Sequence, residues 1–201
     1  TSAEDVLITK THFIRNYSAL SIACYILGIG DRHLDNFLIN TYNSEVVAID
    51  FGISFGKGLT QLIPELVPYR LTNQIVNVMH PEGILGVIRQ TMIEVLSAFK
   101  GSKNNVLDYC EVFVKEPLLD WGIDKENESI KKVEIVNMKL NGYNPVKIML
   151  REINAIPRLQ SKIKDILNTI LYGINGDNVR LQNKNENYVD IISNHLSVRK
   201  K

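Results

Sequence analysis

Charge of either sign is not in excess in this chain. Lys and Arg number 23 against 22 Asp and Glu, a formal net charge of +1, so no global basic field draws the segment to nucleic acid. Cysteine is scarce. Cys24 and Cys110 stand far apart and read as buried thiols of a reducing compartment, not as a disulfide framework. No run of eighteen apolar residues occurs, which leaves no candidate for a membrane-spanning helix. The first residues show no secretory-leader pattern, and the closing Arg199-Lys200-Lys201 is too short to serve as an import signal. There is no internal repeat. Glycine is missing from the first part of the chain: all 12 glycines lie at or after Gly28, and none falls in a glycine-rich run that could cradle phosphates. At 201 residues the chain is still long enough for one sizeable core.

What is present is concentrated in Gly30-Asp31-Arg32-His33-Leu34-Asp35-Asn36, followed by Ile49-Asp50-Phe51-Gly52. Asp31 precedes Asn36 by five positions, and Asp50 follows fourteen later. A protein-kinase catalytic loop also sets its proton-accepting Asp five residues before a metal-binding Asn, and the Asp of an Asp-Phe-Gly turn holds Mg²⁺. Between the two motifs, Phe37-Leu38-Ile39 and Val46-Val47-Ala48-Ile49 are short apolar runs. Asn40-Thr41-Tyr42-Asn43-Ser44 separates them with turn chemistry. An antiparallel hairpin would bring Asn36 and Asp50 together as oxygen donors for Mg²⁺, with ATP phosphates and water completing the shell. Asp31 is then the base or hydroxyl-orienting group, a role worth roughly 10²–10⁴-fold in rate. His33 either contacts the transferring phosphoryl group and shares the proton work, or only braces the loop. Arg32 is expected to pair with a nearby carboxylate.

Ordinary protein kinases place His two residues before the catalytic Asp, whereas His33 stands two residues after Asp31. The inverted order, Asp-Arg-His-x-x-Asn and then Asp-Phe-Gly, resembles the phosphatidylinositol-kinase superfamily. Leu27-Gly28-Ile29-Gly30-Asp31-Arg32-His33 and Asp50-Phe51-Gly52-Ile53-Ser54-Phe55-Gly56 narrow the resemblance to the phosphatidylinositol-3-kinase-related protein kinases. Three further stretches are similar to the DNA-dependent branch of that family. They are Pro64-Glu65-Leu66-Val67-Pro68-Tyr69-Arg70-Leu71-Thr72, Val112-Phe113-Val114-Lys115-Glu116-Pro117 with Asp120-Trp121, and Lys139-Leu140-Asn141-Gly142 with Asn144-Pro145. The resemblance implies an ATP- and Mg²⁺-dependent protein serine/threonine kinase, with Leu38 and Ile49 as the apolar floor under adenine. It also implies substrates with Ser or Thr before Gln, DNA-end-binding partner proteins, a nuclear location, and double-strand-break repair by non-homologous end joining. Two departures stand out. Ile53 takes the place of the usual His after Asp-Phe-Gly, and the segment from Tyr188 to Lys201 lacks the family's aromatic ending.

The expected fold is α+β, mostly α: a protein-kinase-like C-terminal lobe over residues 1–172 with a small β-hairpin carrying the metal site. The catalytic loop spans 28–37 and the activation loop 50–72. Phe13, Tyr17, Leu20, Cys24 and Leu27 mark a helix stopped by Gly28. Thr72 caps a helix carrying Ile75, Val76 and Met79. Leu85, Ile88, Met92, Val95 and Phe99 form a stripe ended by Gly101, and Asn105 to Val114 a shorter helix. Ile130, Val133, Val136 or Asn137, and Leu140 form another, ended by Gly142, after which Asn144-Pro145 restarts the chain. A last helix is expected from Pro157 to Tyr172, then a polar linker over 173–187 and a partial or divergent helical motif over 188–201.

The glycine-rich phosphate loop and the strand Lys of a kinase are not found in these residues, so the chain reads as a C-lobe that depends on an N-lobe of the same polypeptide. By itself it is not expected to bind ATP tightly or transfer phosphate. Lys57 and Arg70 balance Asp50 and Glu65 in the activation loop. A phosphorylated inositol headgroup calls for more cationic charge, so the loop favours a protein hydroxyl. A lipid kinase and a catalytically silent scaffold remain the alternatives.

Overall fold

The computed structural model describes residues 2–61, 64, 65, 69–115 and 125–154. The chain divides into two compact units, Thr1–Tyr143 and Asn144–Lys201. The order in the first is α1 (Ala3–Leu27), β1 (Phe37–Ile39), β2 (Val46–Ala48), α2 (Asn73–Val78), α3 (Val87–Gly101), α4 (Lys103–Val114) and α5 (Lys125–Leu140). In the second, the described part is α6 (Pro145–Asn154). The expected helices at 157–172 and 188–201, and the linker between them, lie outside the described residues. Among the described residues the fold is mostly helical with one two-stranded sheet.

Helix α1 is the spine of the first unit. Ser2 opens it with a capping box: its hydroxyl accepts the Asp5 N–H at 3.0 Å, and the Asp5 carboxylate accepts the Ser2 N–H at 2.8 Å. Gly28 closes it in the left-handed region, at φ 61°, the conformation that favours glycine at a helix end. The buried surface is broader than the expected stripe. Tyr17 and Cys24 are buried as anticipated, while Phe13, Leu20 and Leu27 are only half-buried. Ile14, Ser18, Ser21, Ile22, Tyr25 and Ile26 take up the rest of the core face. The two serines fit because each hydroxyl donates back one turn, Ser18 to the Ile14 carbonyl at 2.6 Å and Ser21 to the Tyr17 carbonyl at 2.7 Å. A hydropathy stripe cannot register small polar residues whose hydrogen bonds are met locally.

Helices α3 and α5 pack on α1, and α4 packs on α5. Ile88, Met92 and Leu96 face inward from α3, Cys110 and Val114 from α4, and Val136 and Leu140 from α5. Each of the Ile, Leu, Val and Met side chains among them contributes about 1.5–3 kcal/mol relative to remaining in water. Two expected core residues are not core. Leu85 is exposed in a 3-10 turn ahead of Gly86, and Ile130 is exposed near the start of α5. Both were read from periodicity extended past the packed part of the helix. Lys139 is buried on α5 and donates to the Tyr25 carbonyl at 2.8 Å, a cation at the C-terminal end of α1 where the helix dipole favours one. Thr72 caps α2 as expected, accepting from the Ile75 N–H at 3.4 Å. Asn144 caps α6 through its side chain, with Pro145 at the first helical position. Burial raises both thiols, Cys24 and Cys110, above the ordinary cysteine value.

Gly28 is the most constrained glycine of the spine. A Cβ there would stand 2.7 Å from the Gly56 backbone nitrogen, on a backbone that side chains avoid. Gly28→Ala is expected to lower the unfolding free energy by about 1–3 kcal/mol, read as a lower urea midpoint with an unchanged slope. A midpoint equal to the parent's would show that the end of α1 yields without cost.

Candidate active site

The chain leaves α1 at Gly28 and runs beside the segment that follows Asp-Phe-Gly. Three main-chain hydrogen bonds join them: Gly30 N–H to the Ile53 carbonyl at 2.8 Å, Phe55 N–H to Leu27 at 2.9 Å, and Gly56 N–H to Gly28 at 3.0 Å. Ile53 thus hydrogen-bonds the loop through its carbonyl, and its side chain lies beside Gly30. The next residue, Asp31, has φ 54°, and Asp50 across the site has φ 57°. Asp enters the left-handed region more readily than most residues, yet such a backbone costs of order 1–3 kcal/mol and persists only where its surroundings impose it.

Arg32 supplies much of that imposition. Its side chain is 6 % exposed. Nε donates to the Gly30 carbonyl at 2.8 Å and one terminal nitrogen to Ile49 at 2.8 Å, while the other donates to the carbonyl of Asp50. The planar fork therefore ties the residue before Asp31 to Asp50 itself and to the residue before it. Its carbon lies 5.9 Å from the Phe37 ring centre and 5.5 Å from that of Phe51, within cation–π range. The expectation of a carboxylate partner is corrected here, because the partners are main-chain carbonyls.

After His33 the chain makes a 3-10 turn, Leu34–Asn36, and enters β1. Asn36 is buried. Its amide nitrogen donates to the Asp31 carbonyl at 2.7 Å and reaches the Asp31 carboxylate at 3.5 Å. The five-residue spacing thus closes on itself, with the carboxamide folded back over the catalytic-loop Asp. The hairpin forms between the expected runs, and in it Phe37 opposes Ala48, Leu38 opposes Val47, and Ile39 opposes Val46. One step beyond that ladder, Ile49 N–H donates to the Asn36 carbonyl at 3.0 Å, so Asn36 and Asp50 leave the hairpin at the same end. Asn40 and Asn43 hold the turn by accepting from the Tyr42 and Glu45 N–H groups. Val46 and Ala48 are buried on the side of α1, whereas Leu38 is 55 % exposed and Ile49 38 %.

The acidic centre faces solvent. The Asp31 and His33 side chains are each 42 % exposed, with His33 Nε2 3.7 Å from the Asp31 carboxylate and Nδ1 3.7 Å from that of Asp35. These are ion-pair distances, longer than a hydrogen bond. Nδ1 is buried and makes no hydrogen bond among the described residues. Asp50 accepts the Gly52 N–H at 3.1 Å. Among the described residues no group of three or more His, Cys, Asp or Glu side chains is placed to hold a metal ion. Asp50 carries a carboxylate and Asn36 a carboxamide, side chains of the oxygen-donor type that hard divalent cations take.

Two residues with no site role assigned from sequence make hydrogen bonds around it. Tyr17 on α1 donates its hydroxyl to the Arg70 carbonyl, and burial pushes its phenol up to about 12, so the donor proton stays in place near neutral pH. Glu65 appeared only as a charge in the 50–72 segment. In the structure its carboxylate accepts the Asp31 N–H.

A helix-delivered Asp-Arg-His loop, a hairpin, and an Asp-Phe-Gly turn strapped to that loop define a kinase-type catalytic region. The model of the family described as phosphatidylinositol 3- and 4-kinase matches residues 1–123, and the chain belongs to that family. Within it the similarity is to protein kinases. The DNA-dependent protein kinase catalytic subunit of Gallus gallus is 36% identical over 173 residues, covering 76% of this chain and 4% of that protein. The Dictyostelium discoideum protein of the same name is 34% identical over 196 residues, covering 89% of this chain and 5% of its own length. A solved structure, the FAT and kinase domain of CtTel1, superposes with a TM-score of 0.64 at 30% identity, covering 71% of this chain and 11% of that one. The chain thus spans about 4–5% of the length of these curated relatives.

Arg32 offers a test of the strap. Arg32→Lys keeps the charge, but one ammonium cannot present a planar fork to three carbonyls. The substitution is expected to lower the unfolding free energy by about 2 kcal/mol or more and to speed amide exchange over residues 49–52. An unchanged midpoint together with unchanged exchange would show that the carbonyls are held by other means.

Proposed function

We propose that this chain is the C-lobe of a protein serine/threonine kinase of the DNA-dependent protein kinase type, transferring the γ-phosphoryl group of ATP to a protein hydroxyl. The observation that carries the reading is the pair of left-handed aspartates, Asp31 and Asp50, held on one buried guanidinium with Asn36 folded onto Asp31. Strained backbone of this kind concentrates where side chains must be aimed.

In this reading Asp31 accepts or orients the proton of the attacking hydroxyl, from a position open enough for a substrate to reach. His33 stands beside it, able to share the proton or to meet the transferring phosphoryl oxygens. Asn36 and Asp50 would hold Mg²⁺, which when bound offsets charge on the nucleotide phosphates. Leu38 and Ile49 present apolar side chains to the adenine. The phosphate loop, the strand Lys and the hinge come from the N-lobe of a larger polypeptide. The balanced charge of the 50–72 segment supports a protein substrate over an inositol phosphate headgroup. The relatives named for DNA dependence support a nuclear role in double-strand-break repair by non-homologous end joining, with DNA-end-binding partner proteins and Ser/Thr-Gln substrates.

The assay is radiolabel transfer by the full-length kinase to a Ser-Gln peptide, beside phosphatidylinositol vesicles. Asp31→Asn is expected to lower kcat by roughly 10²–10⁴-fold with little change in ATP affinity, whereas Asp50→Asn should nearly abolish transfer at saturating ATP and Mg²⁺. Label in the lipid and none in the peptide would replace this reading with the lipid kinase. Wild-type turnover in Asp31→Asn would remove Asp31 from the chemistry.

A further inference from the structure

We propose that Glu65 is a positioning residue that ties the 3-10 turn Lys57–Thr60 to Asp31, so that the placement of that turn sets the aim of the Asp31 carboxylate. This rests on the role given to Asp31 above.

Three observations support it. The Glu65 carboxylate straddles a single donor, the Asp31 backbone N–H, with its oxygens at 2.8 and 2.9 Å from the nitrogen. An ionised acceptor makes this the stronger kind of hydrogen bond, and it acts on the peptide group that must sit at φ 54°. The site is also shaped to admit the carboxylate. A Cβ on Gly30 or on Gly58 would collide with a Glu65 oxygen, so glycine at both positions leaves the space this side chain fills. Finally, Glu65 is anchored to its own segment: its N–H donates to the Gly58 carbonyl at 3.1 Å, on the 3-10 turn Lys57–Thr60.

The bond joins the main chain of the catalytic loop to a side chain 34 positions later. Glu65 is itself exposed, so water competes for its carboxylate and the link can open without unfolding the core. Arg32 holds the other side of the site, at the carbonyls of Gly30, Ile49 and Asp50. Loss of the Glu65 link should therefore misdirect Asp31, while the hairpin still holds the backbone of Asn36 and Arg32 that of Asp50. A misaimed reacting group lowers turnover more than it lowers nucleotide affinity.

The test uses the full-length kinase with Glu65→Ala, Glu65→Gln and Gly30→Ala. Glu65→Ala is expected to lower kcat on the order of 10–100-fold, with KM for ATP changed by less than about threefold. Glu65→Gln keeps an acceptor oxygen and should recover most of that loss, and Gly30→Ala should reproduce it by displacing the carboxylate. Amide exchange at Asp31 gives a readout independent of turnover, and should speed by about tenfold or more in Glu65→Ala. Unchanged Asp31 exchange in Glu65→Ala overturns the proposal whatever the activity, as does a parallel loss of ATP affinity and kcat. If exchange speeds in Glu65→Ala while Asp31→Asn retains full turnover, it is the role of Asp31 that fails, not the link.

Discussion

The candidate site depends on one buried cation. Arg32 spends its donors on main-chain carbonyls, and those carbonyls belong to the two stretches that carry the aspartates. Removing a charge from water is costly unless its donors are met. Here the donors are met only when the catalytic loop and the Asp-Phe-Gly turn lie side by side, which makes their adjacency a condition of burying the side chain at all. The aromatic rings of Phe37 and Phe51 flank the guanidinium and shelter it from solvent. The arginine is in that sense a spacer of fixed shape: its fork sets the separation of two segments that the hairpin alone joins only at one end.

Around that spacer, each link runs from a rigid element to a strained one. Helix α1 is capped at its start, packed by α3 and α5 along its length, and ended by a left-handed glycine that turns the chain directly into Ile29 and Gly30. The hairpin is short, but its inner face is buried against α1, and its register delivers Asn36 and Asp50 at a common end. Lys139 reaches the carbonyl end of α1 from α5, and Tyr17 reaches from α1 to the carbonyl of Arg70. The loops that hold the aspartates are thus fastened at each end to parts of the molecule with little freedom.

Much of this was legible in the sequence, and the division follows a physical line. The hairpin was legible because its strands are apolar runs around an Asn-rich turn. The C-terminal end of α1 and the N-terminal end of α2 were legible because glycine and threonine mark those ends for reasons that are local, whereas the start of α1 at Ser2 was not. The Asp31, Asn36 and Asp50 spacing was legible because side-chain chemistry at fixed intervals is what a sequence states outright. The partners of Arg32 were not, since a main-chain carbonyl has no letter of its own. Nor were the left-handed backbones at Asp31 and Asp50, which only the surrounding contacts impose. Ser18 and Ser21 were passed over as polar, and Leu85 and Ile130 were counted as core, because hydropathy reports neither a hydroxyl satisfied one turn back nor where a helix stops touching its neighbours. Glu65 was read as charge when its position is what matters.

Ile53 brings out what it means to dock two segments through peptide groups. The residue usual there in related kinases is histidine, yet the contact with Gly30 is made by the carbonyl, which every amino acid possesses. The hydrogen bond in such a junction does not depend on the side chain at the accepting position, while at Gly28 a side chain would run into the Gly56 backbone. Natural variation in this region should accordingly be lopsided. The hydrogen bond itself sets no requirement on the side chain at residue 53, and the cost of a change there falls on what the side chain meets, which includes the space beside Gly30.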